Sequence, residues 1–209
     1  MDAQTRKYYP LSKPWPRANA LSKEASTTSK LKISIRRGRR SDTVAFLGLL
    51  TALANFEKLE PPDEPSRHRL VEDIFARRRL GLFVATAGAD IVGYALYFYS
   101  YSSFLARPTL YLEDIFVPED HRGRGIGSSL FHRCLKEAES SGCGRMEWAV
   151  LTWNLGAIGF YEKVGARKLD EWHVYRLTRE QFGIAAEALR KTRHAKKRPR
   201  SEPAGHHRT

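Results

Sequence analysis

The sequence predicts an α/β fold: a mixed, mostly antiparallel central sheet with helices on both faces. Three observations lead there. Runs of period two alternate with runs of helical period along most of the chain. Between the second and third helical runs, three strand-like runs follow one another, two of them around a Gly88 turn. No internal repeat is present, so the elements belong to one sheet rather than to an array.

Each element has a local reason. "LKISIRR" (31–37) alternates and reads as the first strand. Ser41 or Asp42 can cap a helix over 43–57, whose "VAFLGLLTALANF" is too short to span a membrane and reads as buried. "PPDEP" (61–65) is a turn, and Ser66 starts a second helix to about Arg79. "LFVAT" (82–86), "DIVGYALYFYSY" (90–101) and "TLYLEDIFV" (109–117) are the next strands. A helix from Gly125 to Gly142 carries Ile126, Leu130, Cys134 and Ala138 on one stripe. "RMEWAVL" (145–151) is a strand. Asn154 caps a helix that ends at Gly165, and "EWHVYRL" (171–177) is the last strand.

The charge of +13 is not spread evenly. Residues 1–41 carry +9 and residues 183–209 carry +6, while 42–182 carry −2. The basic charge therefore sits in the tails, which bind any polyanion weakly and say little about the centre. The organisation expected is a disordered basic extension (1–30), one ordered domain (31–182) and a largely disordered basic tail (183–209). The extension is rich in Lys, Arg and Ser/Thr and poor in acids, a composition shared by organelle transit peptides. The two cysteines, Cys134 and Cys143, make neither a disulfide framework nor a metal spacing, so a reduced, cytoplasmic setting without metal is expected.

The stretch that carries chemistry is "EDIFVPEDHRGRGIGSSL" (113–130). A strand with two acids leads into Arg122, Gly123, Arg124, Gly125, Ile126, Gly127 and Ser128, and a helix follows. Helix N-termini present unpaired N–H groups and partial positive charge, and glycines let a phosphate approach the backbone. This loop is expected to bind phosphate or pyrophosphate. A kinase-like phosphate loop needs Gly-Lys-Ser/Thr, which is absent. A dinucleotide loop needs G-x-G-x-x-G with an acid ending the next strand; here the spacing is G-x-G-x-G and Glu147 comes early in its strand. A plain glycine-rich turn is the bland alternative.

Arg122 to Gly127 fits Arg/Gln-x-x-Gly-x-Gly/Ala, the acetyl-CoA loop pattern, and "TWNLGAIGFYEKVGA" (152–166) resembles a later motif of the same family. The chain resembles the GNAT acetyltransferases from about residue 32 to 182. "YLEDIFV", "WNLGAIGFY" and "EWHVYRL" are most similar to the diamine (spermidine/spermine-type) acetyltransferases and to the related enzymes acting on thialysine and ornithine. The resemblance implies the GNAT fold, acetyl-CoA as cosubstrate and a small cationic amine as partner, with no specific nucleic acid and no membrane. It also allows a homodimer.

Acetyl transfer to an amine sets four requirements: a held thioester, a deprotonated amine (an ammonium of pKa about 10.4 has no lone pair), a donor for the oxyanion and an acid for the thiolate. By resemblance, the backbone of Ile115, Phe116 and Val117 runs beside the pantetheine arm, and Asn154, Leu155, Gly156 and Ala157 contact CoA. Asn154 on its own could be a helix cap, a contact or both. Tyr161 lies seven residues on, about two helical turns, and matches the family's general acid; a core tyrosine is the bland alternative. Glu113 matches the subgroup's amine-side acid and is the candidate for amine binding and proton removal. Asp114, its neighbour, points to the opposite strand face. Phe56 and Glu57 fall where the subgroup has an aromatic–Glu pair, Phe104 is the candidate channel wall, and Asp170 or Glu171 a further acid. Phe56 in place of a Tyr, and a short spacing at Asp170, favour a shorter amine over a long polyamine. Two alternatives remain: a protein N-terminal or lysine acetyltransferase, and a nucleic-acid-associated protein worked by its tails. The tails interleave few aromatics with their basic runs, so base stacking lacks a platform.

Overall fold

The computed structural model describes residues 32–196 and divides the chain into two units, one ending at Ala149 and one beginning at Val150. The expected N-terminal extension lies outside the described residues. The first unit is a five-stranded sheet in sequence order: β1 (Ile33–Arg37), β2 (Gly81–Ala87), β3 (Asp90–Ser102), β4 (Arg107–Phe116) and β5 (Arg145–Glu147). Neighbours from β1 to β4 are antiparallel, and β5 is parallel to β4. The sheet is mixed and mostly antiparallel, as the chain of hairpin signals predicts.

Strand alternation divides the core. Leu82, Val84, Tyr94, Leu96 and Phe116 pack with Phe46, Leu49 and Leu53 of α1 (Thr43–Glu57) and Ile74 of α2 (Glu64–Phe75). The alternate residues face the other side. There Arg133 of α3 (Ile126–Ser140) stacks on Phe83, 4.3 Å from its ring centre. Helices therefore cover both faces. β4, α3 and β5 form a crossover, which a parallel pair requires.

Several boundaries differ from expectation for local reasons. Asp42 does not cap α1 with its side chain. Its carboxylate accepts two bonds from Arg36 (2.6 and 2.9 Å) and one from the Arg39 N–H (2.7 Å), which fixes the tight turn before the helix. α2 begins at Glu64 because Asp63 accepts from the Ser66 N–H (2.9 Å) and Pro65 suits the first turn. β5 is only three residues long, so 148–151 of the predicted 145–151 strand are not sheet.

The second unit holds α4 (Leu155–Lys163) and α5 (Gln181–Lys196). Residues 171–177, predicted as the last strand, pair with no strand among the described residues, and all seven are exposed. Their alternation is real, but a strand exists only through its ladder partner. Of the tail expected from residue 183, the part to 196 is helix α5 and the rest lies outside the described residues.

Candidate active site

The site starts from an irregularity in β4. Leu96 faces Asp114, but the next residue, Tyr97, faces Leu112, so Glu113 is the extra residue of a β-bulge. The bulge changes which face the acids reach. In an unbroken strand Asp114 would share a face with Leu112; here it shares the face of Leu96 and Tyr94, under α1. Glu113 stays exposed.

Asp114 is therefore the inward acid. The Tyr94 hydroxyl donates to its Oδ2 at 3.3 Å. Burial first, then the charges of Glu113 and Glu57, raise Asp114 to a pKa of about 6, with the Tyr94 bond pulling the other way. Glu57, at the end of α1, is half-buried, and burial lifts it above its usual range. Tyr94 is fully buried, which pushes its hydroxyl far up, with the nearby Asp114 charge adding to the effect. Fold and bulge thus bring Glu57 and Glu113 into the field of Asp114, and burial makes Glu57 and Asp114 costly to ionise. Sequence reasoning missed Tyr94, which reads as one more aromatic in "DIVGYALYFYSY".

Beyond Tyr111 the outer edge of β4 has no ladder partner among the described residues, because β5 ends opposite that residue. The backbone of Ile115 and Phe116 is held on one side by Ala95 and Tyr94 of β3. The other side is an open edge, able to take an extended amide-bearing chain as a strand would.

β4 then turns through Pro118 and a short 3-10 turn (Glu119–His121) into the glycine loop. Gly123 (φ +73°) and Gly125 (φ +76°) adopt the left-handed conformation that other residues resist. The Ser129 N–H bonds to Gly125 O at 3.0 Å. None of the N–H groups from Gly123 to Ser128 meets an acceptor among the described residues. A Cβ at Gly123, Gly125 or Gly127 would touch nothing within 4 Å. These unpaired donors at a bare helix start fit a pyrophosphate. The two arginine side chains turn back on the protein. Arg124 donates to Asp120 O at 3.1 Å, and Arg122 donates from Nε to Val117 O at 2.9 Å.

The second unit carries the later motif on α4. Asn154 accepts from the Ala157 N–H at 3.2 Å, a cap, and Leu155 N–H bonds to Trp153 O at 2.9 Å. Tyr161 is the buried residue of α4, its ring 5.4 Å from that of Phe160. Asp170 pairs with Lys168, and both it and Glu171 are exposed. Phe104 is not brought to the acids of the first unit. It is fully exposed in the β3–β4 turn, and six strand residues, about 20 Å, separate Arg107 from Glu113.

Comparison with known proteins gives the family. Residues 50–166 match the family described as Acetyltransferase (GNAT) family. The L-ornithine N5-acetyltransferase of Arabidopsis thaliana is 44% identical over 101 residues, which is 48% of this chain and 42% of that protein, so the match spans under half of the relative. The thialysine N-epsilon-acetyltransferase of Bos taurus is 35% identical over 160 residues, covering 71% of this chain and 94% of that enzyme. An integron cassette protein of V. cholerae shares the fold with a TM-score of 0.62 at 22% identity, over 74% of this chain and 98% of its own. With a five-stranded sheet, a bulged β4 and a glycine loop opening α3, the chain belongs to the GNAT family of acetyltransferases, acyltransferases that use acetyl-CoA.

Proposed function

We propose that this enzyme acetylates the terminal primary amine of a small cationic molecule, either a short diamine or the side-chain amine of an ornithine- or thialysine-like amino acid. The observation that supports it most is Asp114, a carboxylate turned under α1 with Glu57 in its field and no cation of the protein bonded to it among the described residues. An ammonium group is the counter-charge such a pair lacks. The ornithine and thialysine relatives act on amines of this kind.

The remaining roles follow. Asp114 and Glu57 hold the cation, and Glu113 on the bulge takes the proton from the attacking amine, directly or through water. The open edge at Ile115, Phe116 and Val117 holds the pantetheine arm, and the N–H groups from Gly123 to Ser128 hold the pyrophosphate. Asn154 and the start of α4 add a second contact to CoA. Acetyl-CoA supplies the activated acyl group, and Tyr161 donates the proton that the departing thiolate needs. The setting is cytoplasmic in this reading, consistent with Cys134 and Cys143 both being free thiols.

The test is thiol release from acetyl-CoA with putrescine, spermidine, ornithine, lysine, thialysine and a lysine-containing peptide side by side. Release with a free short amine is expected. Release with the peptide alone would make it a protein acetyltransferase, and failure to bind acetyl-CoA at all would remove the role given to the glycine loop. Tyr161→Phe is expected to lower kcat by about a hundredfold while leaving the Kd of acetyl-CoA nearly unchanged. An unaltered kcat would take Tyr161 out of the mechanism.

A further inference from the structure

Arg122 opens the acetyl-CoA loop pattern, yet its backbone N–H and its Nε are both engaged within the chain. Its backbone N–H bonds to Glu119 O at 3.1 Å and its Nε donates to Val117 O at 2.9 Å. The guanidinium carbon lies over two aromatic rings, 4.9 Å from the centre of Phe56 and 6.0 Å from that of Phe116. These rings are 6.4 Å apart, and Phe116 is 6.4 Å from Tyr94, whose hydroxyl bonds to Asp114. Phe56 precedes Glu57, and Phe116 stands two residues after Asp114. Contacts therefore run from the loop through Arg122 and the rings to the Tyr94–Asp114 hydrogen bond, and Phe56 is the chain neighbour of Glu57.

We infer that Arg122 is a positioning residue for the amine acceptor, not a phosphate ligand: it fixes the Phe56 and Phe116 rings and so sets where Glu57 and Asp114 stand. The inference rests on those acids being the amine site. It also gives the loop a second task. Its backbone takes the pyrophosphate, while its first side chain braces the acceptor pocket, so the two substrate sites share one element. A ligand that orders the loop then favours the amine-competent pocket, and by linkage the amine favours the loop's bound state to the same degree. Arg suits the position because its planar guanidinium stacks on a ring while its Nε still donates.

The test compares Arg122→Met, Arg122→Lys, Phe56→Leu and the Arg122→Met/Phe56→Leu double variant. The readouts are amine KM at saturating acetyl-CoA, kcat, the Kd of CoA, and thermal unfolding as a folding control. Arg122→Met is expected to raise amine KM five- to tenfold, with CoA Kd and kcat changed less than twofold. Phe56→Leu should raise it similarly, and the double variant no further, because both remove the same contact. Arg122→Lys keeps the charge but loses the planar stack, and should recover under half of the loss. A weakened CoA Kd with amine KM unmoved would make Arg122 a phosphate ligand and overturn the inference. Single effects that multiply in the double variant would overturn it too, because the pair would then act independently. If the wild-type enzyme acetylates no small amine, the proposed function fails first; if it does and KM ignores Arg122, only this assignment fails.

Discussion

Two low-exposure carboxylates lie on opposite faces of the β3–β4 pair, and their surroundings could hardly differ more. Glu137, on the α3 face, accepts from Arg37 at 2.6 Å, Arg133 at 3.4 Å and the Tyr99 hydroxyl at 3.2 Å. Burial pushes its pKa up, but the Arg37 bond and charge, with the tyrosines, hold it below the usual range. Asp114, on the α1 face, has one tyrosine hydroxyl and two other acids for company, and its pKa rises to about 6. Glu137 ties α3 to β1 across the sheet. An acid that the fold needs for itself comes with its cation. An acid buried among acids is unfavourable to the fold, and in the proposed function it is kept for a cation from outside.

The largest effect expected from this contrast is on Asp114→Asn. If its charge meets the ammonium as proposed, removing it should lower kcat/KM for the amine about a hundredfold. The same change should stabilise the protein. Asp114 ordinarily titrates near 3.8 and here near 6, so ionising it costs the folded state. Its burden is absent below pH 3.8, grows as the pH rises to about 6 and is fully present above that. The variant should therefore gain stability over the wild type through that window, by up to about 3 kcal/mol at neutral pH. Urea unfolding at pH 4 and pH 7.5 measures it, and a gap independent of pH would mean that Asp114 is not buried as described.

Glu137→Gln is the mirror experiment. Glu137 is held below its ordinary 4.5, so its contribution is present above that pH and is lost as the pH falls through the depressed value. Replacing it leaves Arg37 and Arg133 without a counter-charge, at a cost of about 2 kcal/mol at neutral pH, discounted because Arg37 is largely exposed. Amine kcat/KM should change less than about threefold, since no part of the site is touched. A large loss of amine turnover at full stability would erase the distinction between the two acids.

The sequence reveals part of this contrast. Strand and helix identities in the first unit are legible because Gly88, Gly125 and Gly142 punctuate clean period-two and period-3.6 runs. The glycine loop is legible because its donors and its charge lie in consecutive residues. The bulge is not. "LYLEDIFV" alternates as any strand does, and only the partner strand shows that Glu113 is the extra residue. Adjacent-residue logic says that Glu113 and Asp114 part company, but not that Asp114 is the one turned under α1. The cation for Glu137 is equally hidden, because Arg37 lies 100 positions away, at the end of the run read as the first strand.

The smallest effect sharpens the comparison most, because it asks whether the Asp114 side works as a pair. Glu57 is half-buried, with burial alone lifting its pKa, and it adds to the rise of Asp114. If the two hold one ammonium together, Glu57→Gln should raise amine KM about tenfold and leave kcat close to the wild-type value, since the proposed mechanism takes the proton at Glu113. It should also lower the Asp114 pKa, because a neutral neighbour no longer opposes its ionisation. Carboxyl carbon NMR titration of the free enzyme would follow that shift. The affinity loss and the pKa shift must then appear together. An amine KM that rises with the Asp114 titration unmoved would place Glu57 on the substrate's path but outside the pair, and the outside cation would belong to Asp114 alone.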